Sequence, residues 1–321
     1  MDVDATGRGL ERGRLSSGHS SRVLGCEPDV GGRGIVPAAQ ADRRLAHPHA
    51  MPLRASVQTH SLMPLLDVKH LRTALRQCGR RASAPGADKM TLAELRRRSG
   101  ELLPRLAEQL AEGAWQPGPL RQVGFPTYTG KPMAVFVPTL IDRVVHRALR
   151  NAIEPILEAG VLRDWVSGYR PRRNRITALR HAAAHIEAGL RAVADVDVAT
   201  VSEGASVEQV VDWCAEHIHD GSFLDRVRTA LTAMPHPIAP GSGLAPTLIN
   251  LRLSRPDRLM DELAVVRFAD NYVVFTADEA EARRAFTAIR DALARFGLRP
   301  NDAKSRVRPR ANVEDLFLIG G

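Results

Sequence analysis

Residues 265–275 place an acid and an amide between two runs of β-forming side chains. The runs at 265–268 and 272–275 flank Ala269, Asp270 and Asn271. Short polar connections between β-branched or aromatic runs are typical of β-hairpins. We therefore predict a hairpin with a three-residue turn, at which Asp270 stands clear of the sheet and can hold a cation. Taken alone, the segment also fits a purely structural turn, because Asp and Asn tolerate turn geometry.

The chain carries a large excess of positive charge, most of it on arginine. Its 321 residues have a formal net charge of +9 and a pI of about 10.2, and only four residues are lysine. Arginine forms bidentate contacts with phosphate, so a polyanionic partner is expected. A GC-rich genome is a second explanation for the ratio of arginine to lysine, but it does not explain the net excess.

Several functional classes are not expected from the sequence. Cys26, Cys78 and Cys214 lie far apart, and neither they nor the eleven histidines show the spacing of a zinc site. The cysteines are typical of reduced thiols in a cytosolic protein. No apolar run approaches the ~18 residues of a membrane span, and the first 25 residues lack a signal-peptide core. We therefore predict a cytoplasmic protein without a membrane partner.

The order of helical and strand patterns predicts an α+β fold behind a disordered N-terminal segment. Residues 1–60 are rich in Gly, Arg, Ser and His without sustained periodicity, which is typical of disorder. Periodic segments begin near residue 65. The predicted helices lie near 65–79, 91–112, 139–158, 174–189, 206–218, 221–233, 245–262 and 278–296. The predicted strands lie near 120–125, 132–137, 191–198, 303–309 and 314–319, besides the hairpin.

A second acidic segment precedes the hairpin by 75 residues. Residues 192–198 read Ala-Val-Ala-Asp-Val-Asp-Val, a strand pattern in which Asp195 and Asp197 share one face. Carboxylates are the ligands that Mg²⁺ prefers. A strand-borne acid beside the hairpin acid Asp270 is what two-metal nucleotidyl transfer requires.

These motifs, in this order, resemble those of group II intron-type reverse transcriptases. The hairpin resembles the Tyr-Ala-Asp-Asp motif, with Phe268 in place of Tyr and Asn271 in place of the second Asp, and Asp195 aligns with the first catalytic Asp. The resemblance extends over about residues 65–321. Its other carriers are residues 85–88, 130–132, 137–145, 168–173, 241–246, 296–304 and 315–320.

The resemblance implies a right-hand polymerase fold and an RNA-directed DNA polymerase activity. Fingers are expected at about 61–190 and a palm, an antiparallel sheet backed by helices, at about 191–321. Two Mg²⁺ ions, or Mn²⁺ in their place, would be held by Asp195, Asp270 and the backbone carbonyl of Val196, with Asn271 as a weak catalytic ligand. Residues expected to contact nucleotide or template are Lys131, Arg170, Arg172, Arg173, Thr200, Gly241 and Lys304. The expected partners are an RNA template, a DNA or RNA primer and dNTPs.

Several departures from the family pattern leave a second hypothesis open. Asn271 lacks a charge, Pro240 replaces a Gln, Met133 replaces an Arg, and Thr200 stands where the family has a bulky aromatic that excludes the 2′-hydroxyl. The last change predicts relaxed choice between deoxy- and ribonucleotides. The family's thumb is not recognised in the chain, so we expect either poor processivity or a protein partner that grips the duplex. The alternative is a catalytically decayed relative that acts as a nucleic-acid-binding module.

Overall fold

Helices and strands alternate along the chain as an α+β fold, which confirms the predicted class. The computed structural model describes residues 61–79, 84–126, 132–311 and 316, all within the unit Pro52–Gly321. A 3₁₀ helix at Met63–Leu66 precedes the longer elements. The helices are α1 Val68–Cys78, α2 Leu92–Glu112, α3 Leu140–Gly160, α4 Arg175–Glu187, α5 Val207–Ala215, α6 Gly221–Thr232, α7 Ala245–Asp257 and α8 Glu279–Ala294. The strands are β1 Arg121–Pro126, β2 Pro132–Val137, β3 Ala192–Ala199, β4 Val265–Phe268, β5 Asn271–Thr276, β6 Arg299–Pro300 and β7 Arg306–Arg308.

Strand β3 lies at the centre of an antiparallel sheet of five strands. One edge of β3 pairs with β5, which in turn pairs with β4 of the hairpin. The other edge pairs with β7 near its start and with β6 near its end. In the register of β3 and β5, Val193 faces Phe275 and Asp197 faces Asn271. The acidic strand and the hairpin are therefore neighbours in the sheet.

Helices cover both faces of this sheet, as the predicted helix-backed sheet requires. Successive residues of a strand point to opposite faces. Ala194, Val196 and Val198 pack in one apolar cluster with residues of α8, and Val193 packs in another with residues of α4. Asp195 and Asp197 therefore lie on the α4 face, beyond the apolar part that α4 covers.

A separate helical core joins the two halves of the chain. Residues of α1, α2 and α3 pack in one hydrophobic cluster with residues of α5, α6 and α7. This core crosses the predicted boundary between fingers and palm near residue 190. The packing therefore does not divide the chain at that point, and the division into fingers and palm stays a prediction. In the part of the chain that the structure describes, no helix is both long and apolar enough to cross a membrane.

The two-stranded ribbon of β1 and β2 contacts the rest of the fold through a loop that follows α6. The two strands pair antiparallel from Arg121 opposite Val137 to Pro126 opposite Pro132. The Phe136 amide donates a hydrogen bond of 3.0 Å to the Pro240 carbonyl. This contact brings the glycine-containing segment 241–243 against β2.

The structure differs from the sequence prediction at three places. The hairpin turn contains two residues rather than three, because Asn271 already pairs with Phe268. Helix α7 ends at Asp257 instead of 262, just after Pro256, whose ring is unfavourable in a helix interior. The short strand β6 was not predicted. The predicted disorder of residues 1–60 and the predicted strand near 314–319 fall outside the described residues, apart from Leu316.

Candidate active site

The hairpin turn fixes Asp270 at the end of the ladder between β3 and β5. Ala269 adopts a left-handed backbone with φ of 57°, which lets two residues connect the strands. The Val198 amide then donates a hydrogen bond of 3.0 Å to the Asp270 carbonyl. Asp270 is thus held against the second half of β3.

Asp197, rather than Asp195, is the strand acid beside Asp270. Asp197 faces Asn271 directly in the register, and it is 7% exposed. Burial raises the pKa of the Asp270 carboxyl, and the negative charge of Asp197 raises it further. A bound cation would stabilise the charged form of Asp270, which burial and the neighbouring negative charge disfavour. The sequence pattern placed both acids on one face, but it did not reveal which of them lies level with the turn.

Asp195 lies one pleat further from the turn and has its own cationic partner. It faces Val273 in β5 and forms an ion pair of 2.5 Å with Arg308. Burial is the largest cause of the raised pKa of Asp195, and the charge of Arg308 opposes it. The structure thus places Asp195 further from Asp270, the acid with which the sequence analysis paired it.

The segment between β6 and β7 encloses the Asp197 carboxylate. Asn301 donates a side-chain hydrogen bond of 3.1 Å to Oδ1, and the Lys304 ammonium lies 3.4 Å from Oδ2. The Asn301 amide donates to the Asp197 carbonyl at 2.8 Å. Lys304, predicted as a nucleotide contact, therefore lies at the site, and its side chain is 47% exposed. Asn301 was part of the matched motif but was not selected from the sequence.

Asn271 lies at the site but contributes no charge. Its side-chain amide lies 3.4 Å from Asp270 Oδ1, where it donates a long hydrogen bond. This orientation directs the amide nitrogen toward Asp270. Only the carbonyl oxygen of Asn271 is then left to serve as a weak ligand.

Val196 presents no open carbonyl to the site. Because the Val198 amide pairs with Asp270, the alternation of antiparallel ladders directs the Val196 carbonyl toward Tyr272 of β5. Its side chain is fully buried in the α8 cluster. The predicted metal contact from this carbonyl is therefore not favoured by the register.

Two of the three arginines in the predicted basic loop form ion pairs within the protein. Arg170 donates two hydrogen bonds to the Glu158 carboxylate, at 2.9 and 2.8 Å, and others to the backbone carbonyls of Arg163 and Val166. Arg173 pairs with Asp164 at 2.5 Å. The Arg170 side chain is buried by these contacts, whereas Arg173 is partly exposed and pairs with an exposed carboxylate, so the phosphate contacts of both arginines stay predictions. Arg172 is exposed, with φ of 59°, and it remains a candidate contact.

Gly168, at the start of this loop, brings it against the hairpin turn. A Cβ atom at Gly168 would lie 1.9 Å from the Ala269 amide nitrogen. The neighbouring Tyr169 has a raised pKa, mainly from burial and partly from the charge of Asp270. Tyr169 is therefore a candidate site residue that the sequence analysis did not select.

Gly241, which the sequence predicted to contact nucleotide or template, packs closely against strand β2. Its φ is 103°, and a Cβ atom would lie 2.0 Å from the Phe136 carbonyl oxygen. The close approach is therefore to strand β2, not to open space. Thr200 is exposed at the turn after β3, with φ of 52°. Lys131 lies outside the described residues.

The carboxylates fit a divalent cation that completes its coordination with water or phosphate oxygens. Among the described residues, no three His, Cys, Asp or Glu side chains gather into a metal-binding group. Asp197 and Asp270 are two hard oxygen donors, and Mg²⁺ is commonly bound through one or two carboxylates plus substrate phosphates. The donor set is thus compatible with a cation that is shared with a phosphorylated substrate.

Comparison with known proteins finds a distant relative. No family model matches the chain. Protein YkfC of Escherichia coli (strain K12) is 26% identical over 195 residues, which cover 56% of this chain and 51% of YkfC. The chain thus spans about half the length of the curated relative that it matches.

The packing role of Gly241 can be tested by adding a methyl group. We expect Gly241→Ala to lower the free energy of unfolding by about 2–3 kcal/mol, because the new Cβ meets the Phe136 carbonyl at an unfavourable φ. Gly160→Ala is the matched control, since Gly160 ends α3 with no atom within 4 Å of the added Cβ. Urea denaturation of both variants provides the measurement. Equal stability of the two variants would contradict the assigned contact.

Proposed function

We propose that this protein is an RNA-directed DNA polymerase of the reverse transcriptase class. The observation that carries the proposal is the proximity of Asp197 and Asp270, since Asp197 faces Asn271 in the register and Asp270 precedes Asn271 in the hairpin turn. The ordered motif resemblance and the positive net charge support the same class. The chain would take an RNA template, a DNA or RNA primer and dNTPs, in the cytoplasm.

Asp197 and Asp270 would hold the divalent cations, Mg²⁺ or Mn²⁺. Bound there, such ions supply charge neutralisation for the attacking primer 3′-hydroxyl and the departing pyrophosphate. The chain's own contribution is positional, since the β3–β5 ladder fixes both carboxylates before substrate binds. The Lys304 ammonium lies 3.4 Å from Asp197 Oδ2, so it would contact a substrate phosphate that shares a cation with Asp197. The exposed Arg172 would contact the template backbone.

A catalytically inactive nucleic-acid-binding module is the second candidate. It is favoured by the uncharged Asn271 and by the cationic partners that already neutralise Asp195 and Asp197. The net charge of +9 supports phosphate binding in either case. In either case a protein partner could supply the grip on duplex that a thumb gives.

Primer extension on an RNA template distinguishes these candidates. With Mg²⁺ present, we expect the purified chain to extend a primer, and Asp197→Asn and Asp270→Asn each to reduce the rate by at least about 100-fold, because a charged ligand is lost. Asp195→Asn should retain more activity than Asp197→Asn, since Asp195 lies opposite Val273, one pleat further from the turn that carries Asp270. Asp291→Asn, an exposed change on α8, is the control.

One outcome would count against the polymerase proposal, and another would count only against Asp197 as its strand acid. Background extension by the wild-type chain, together with salt-sensitive RNA binding, would leave the binding module. A larger loss from Asp195→Asn than from Asp197→Asn, at equal stability, would return the catalytic role to Asp195.

Which residue selects the sugar is expected to depend on which strand acid binds the cation. If Asp197 is the ligand, the fifth residue after it is Ser202, whereas counting from Asp195 gives Thr200. Both side chains are small, and the turn that carries them is held by hydrogen bonds from Arg252 to the carbonyls of Val201 and Glu203, at 2.8 and 2.6 Å. Neither residue would close off the 2′ position as an aromatic ring does.

We therefore expect the wild-type chain to incorporate ribonucleotides as well as deoxyribonucleotides. Ser202→Phe should reduce ribonucleotide use at least about tenfold relative to dNTP use, by filling the 2′ position. Thr200→Phe is the matched comparison and should change the ratio less. Parallel extension assays with each nucleotide set measure the ratio, and strict dNTP use by the wild-type chain would contradict the expectation.

A further inference from the structure

A guanidinium group is fully buried directly beneath the acidic turn. Arg267 lies in β4 with 0% of its surface exposed, and it pairs at 2.7 Å with the equally buried Asp257 at the end of α7. Tyr272, opposite Arg267 in the register, donates its hydroxyl to the other Asp257 oxygen at 2.7 Å. Two charges are therefore kept in the interior, next to the site but out of reach of any substrate.

One nitrogen of Arg267 connects this ion pair to the turn. Nη1 donates to the Ala269 carbonyl at 2.8 Å and to the Asn250 side-chain oxygen at 2.9 Å. Asn250 in turn donates to the Gly168 carbonyl at 2.9 Å. The guanidinium thus ties the residue before Asp270 both to α7 and to the loop that packs on the turn.

Ala269 is the point at which this support is needed. Its φ of 57° is unfavourable for a residue with a Cβ atom, so its surroundings must hold it. The backbone hydrogen bond from Arg267 to the Trp165 carbonyl and the close approach of Gly168 confine the turn from the other side. The Nη1 contact gives the carbonyl of the peptide that leads into Asp270 a side-chain donor, and removing Arg267 would take that donor away.

We infer that Arg267, with Asp257 as its buried counter-ion, is a positioning residue that fixes the Asp270 carboxylate for cation binding. The inference rests on the proposed function insofar as Asp270 is taken to bind a divalent cation. A purely structural ion pair can often be replaced by apolar residues of similar volume with little loss of stability. A positioning pair cannot be replaced in this way without releasing the turn.

The test separates stability from positioning. The triple variant Arg267→Met, Asp257→Leu, Tyr272→Phe removes both charges and the hydroxyl that would otherwise lose its partner. The control Arg150→Met, Glu154→Leu removes a partly buried ion pair of 2.6 Å within α3. Thermal melting, Mn²⁺ binding followed by electron paramagnetic resonance, and hydrogen exchange at the Asp270 and Asn271 amides are measured for each.

We expect the triple variant to melt close to the wild-type temperature, to exchange its turn amides at least about tenfold faster, and to bind Mn²⁺ at least about tenfold more weakly. The control should change neither exchange nor binding. Wild-type exchange and wild-type Mn²⁺ affinity in a folded triple variant would overturn the inference.

If the triple variant does not fold, the same measurements on Arg267→Lys test the inference, because this variant keeps the charge but loses the two-pronged donor. Faster turn exchange with weaker Mn²⁺ binding then supports positioning, and wild-type values overturn it.

Failure of the proposed function gives a different result. Wild-type protein that binds no Mn²⁺, or binds it equally after Asp270→Asn, would overturn the cation site and with it the proposed function. Hydrogen exchange would still test whether Arg267 holds the turn, because that measurement needs no ion.

Discussion

The antiparallel pairing of β3 with the hairpin is the interaction on which the candidate site depends. It places Asp197 opposite Asn271 and brings the Val198 amide to the Asp270 carbonyl. Two helices support this sheet, since α8 packs on one face and α4 on the other. A shift of one residue in the register would turn Asp197 toward the opposite face of β3. The apolar residues of β3 are therefore as necessary to the site as its acids.

Charged side chains of both signs surround the turn, and they have two different structural roles. Arg267 is buried with Asp257 beneath the turn, whereas Lys304 and Arg308 contact the strand acids from the β6–β7 side. The first pair holds the backbone, and the second set neutralises carboxylates whose burial would otherwise be costly. Positive charge at the site thus serves the fold as well as any phosphate. In the arginine-rich loop, Arg170 and Arg173 likewise pair with carboxylates of the protein.

The sequence predicted the class of fold and the strand and hairpin that carry the acids, because strand alternation and β-forming runs are local signals. It also predicted that Asp195 and Asp197 share a face. It did not predict which acid is level with the turn, since that depends on the pairing register between segments 75 residues apart. Gly241 was predicted to contact nucleotide or template, and its packing against Phe136 was missed because that contact is long-range. The support from Arg267 was hidden for the same reason, since an arginine in a strand gives no local sign of a buried partner.

The central claim is that Asp197 and Asp270 together bind a divalent cation. Anomalous diffraction from crystals soaked in Mn²⁺ and a nucleoside triphosphate tests it most directly. The account predicts an anomalous peak coordinated by oxygens of both carboxylates, and the loss of that peak in Asp270→Asn crystals. A peak bound by Asp195 without Asp197, or no peak in a crystal whose site is open to solvent, would contradict it.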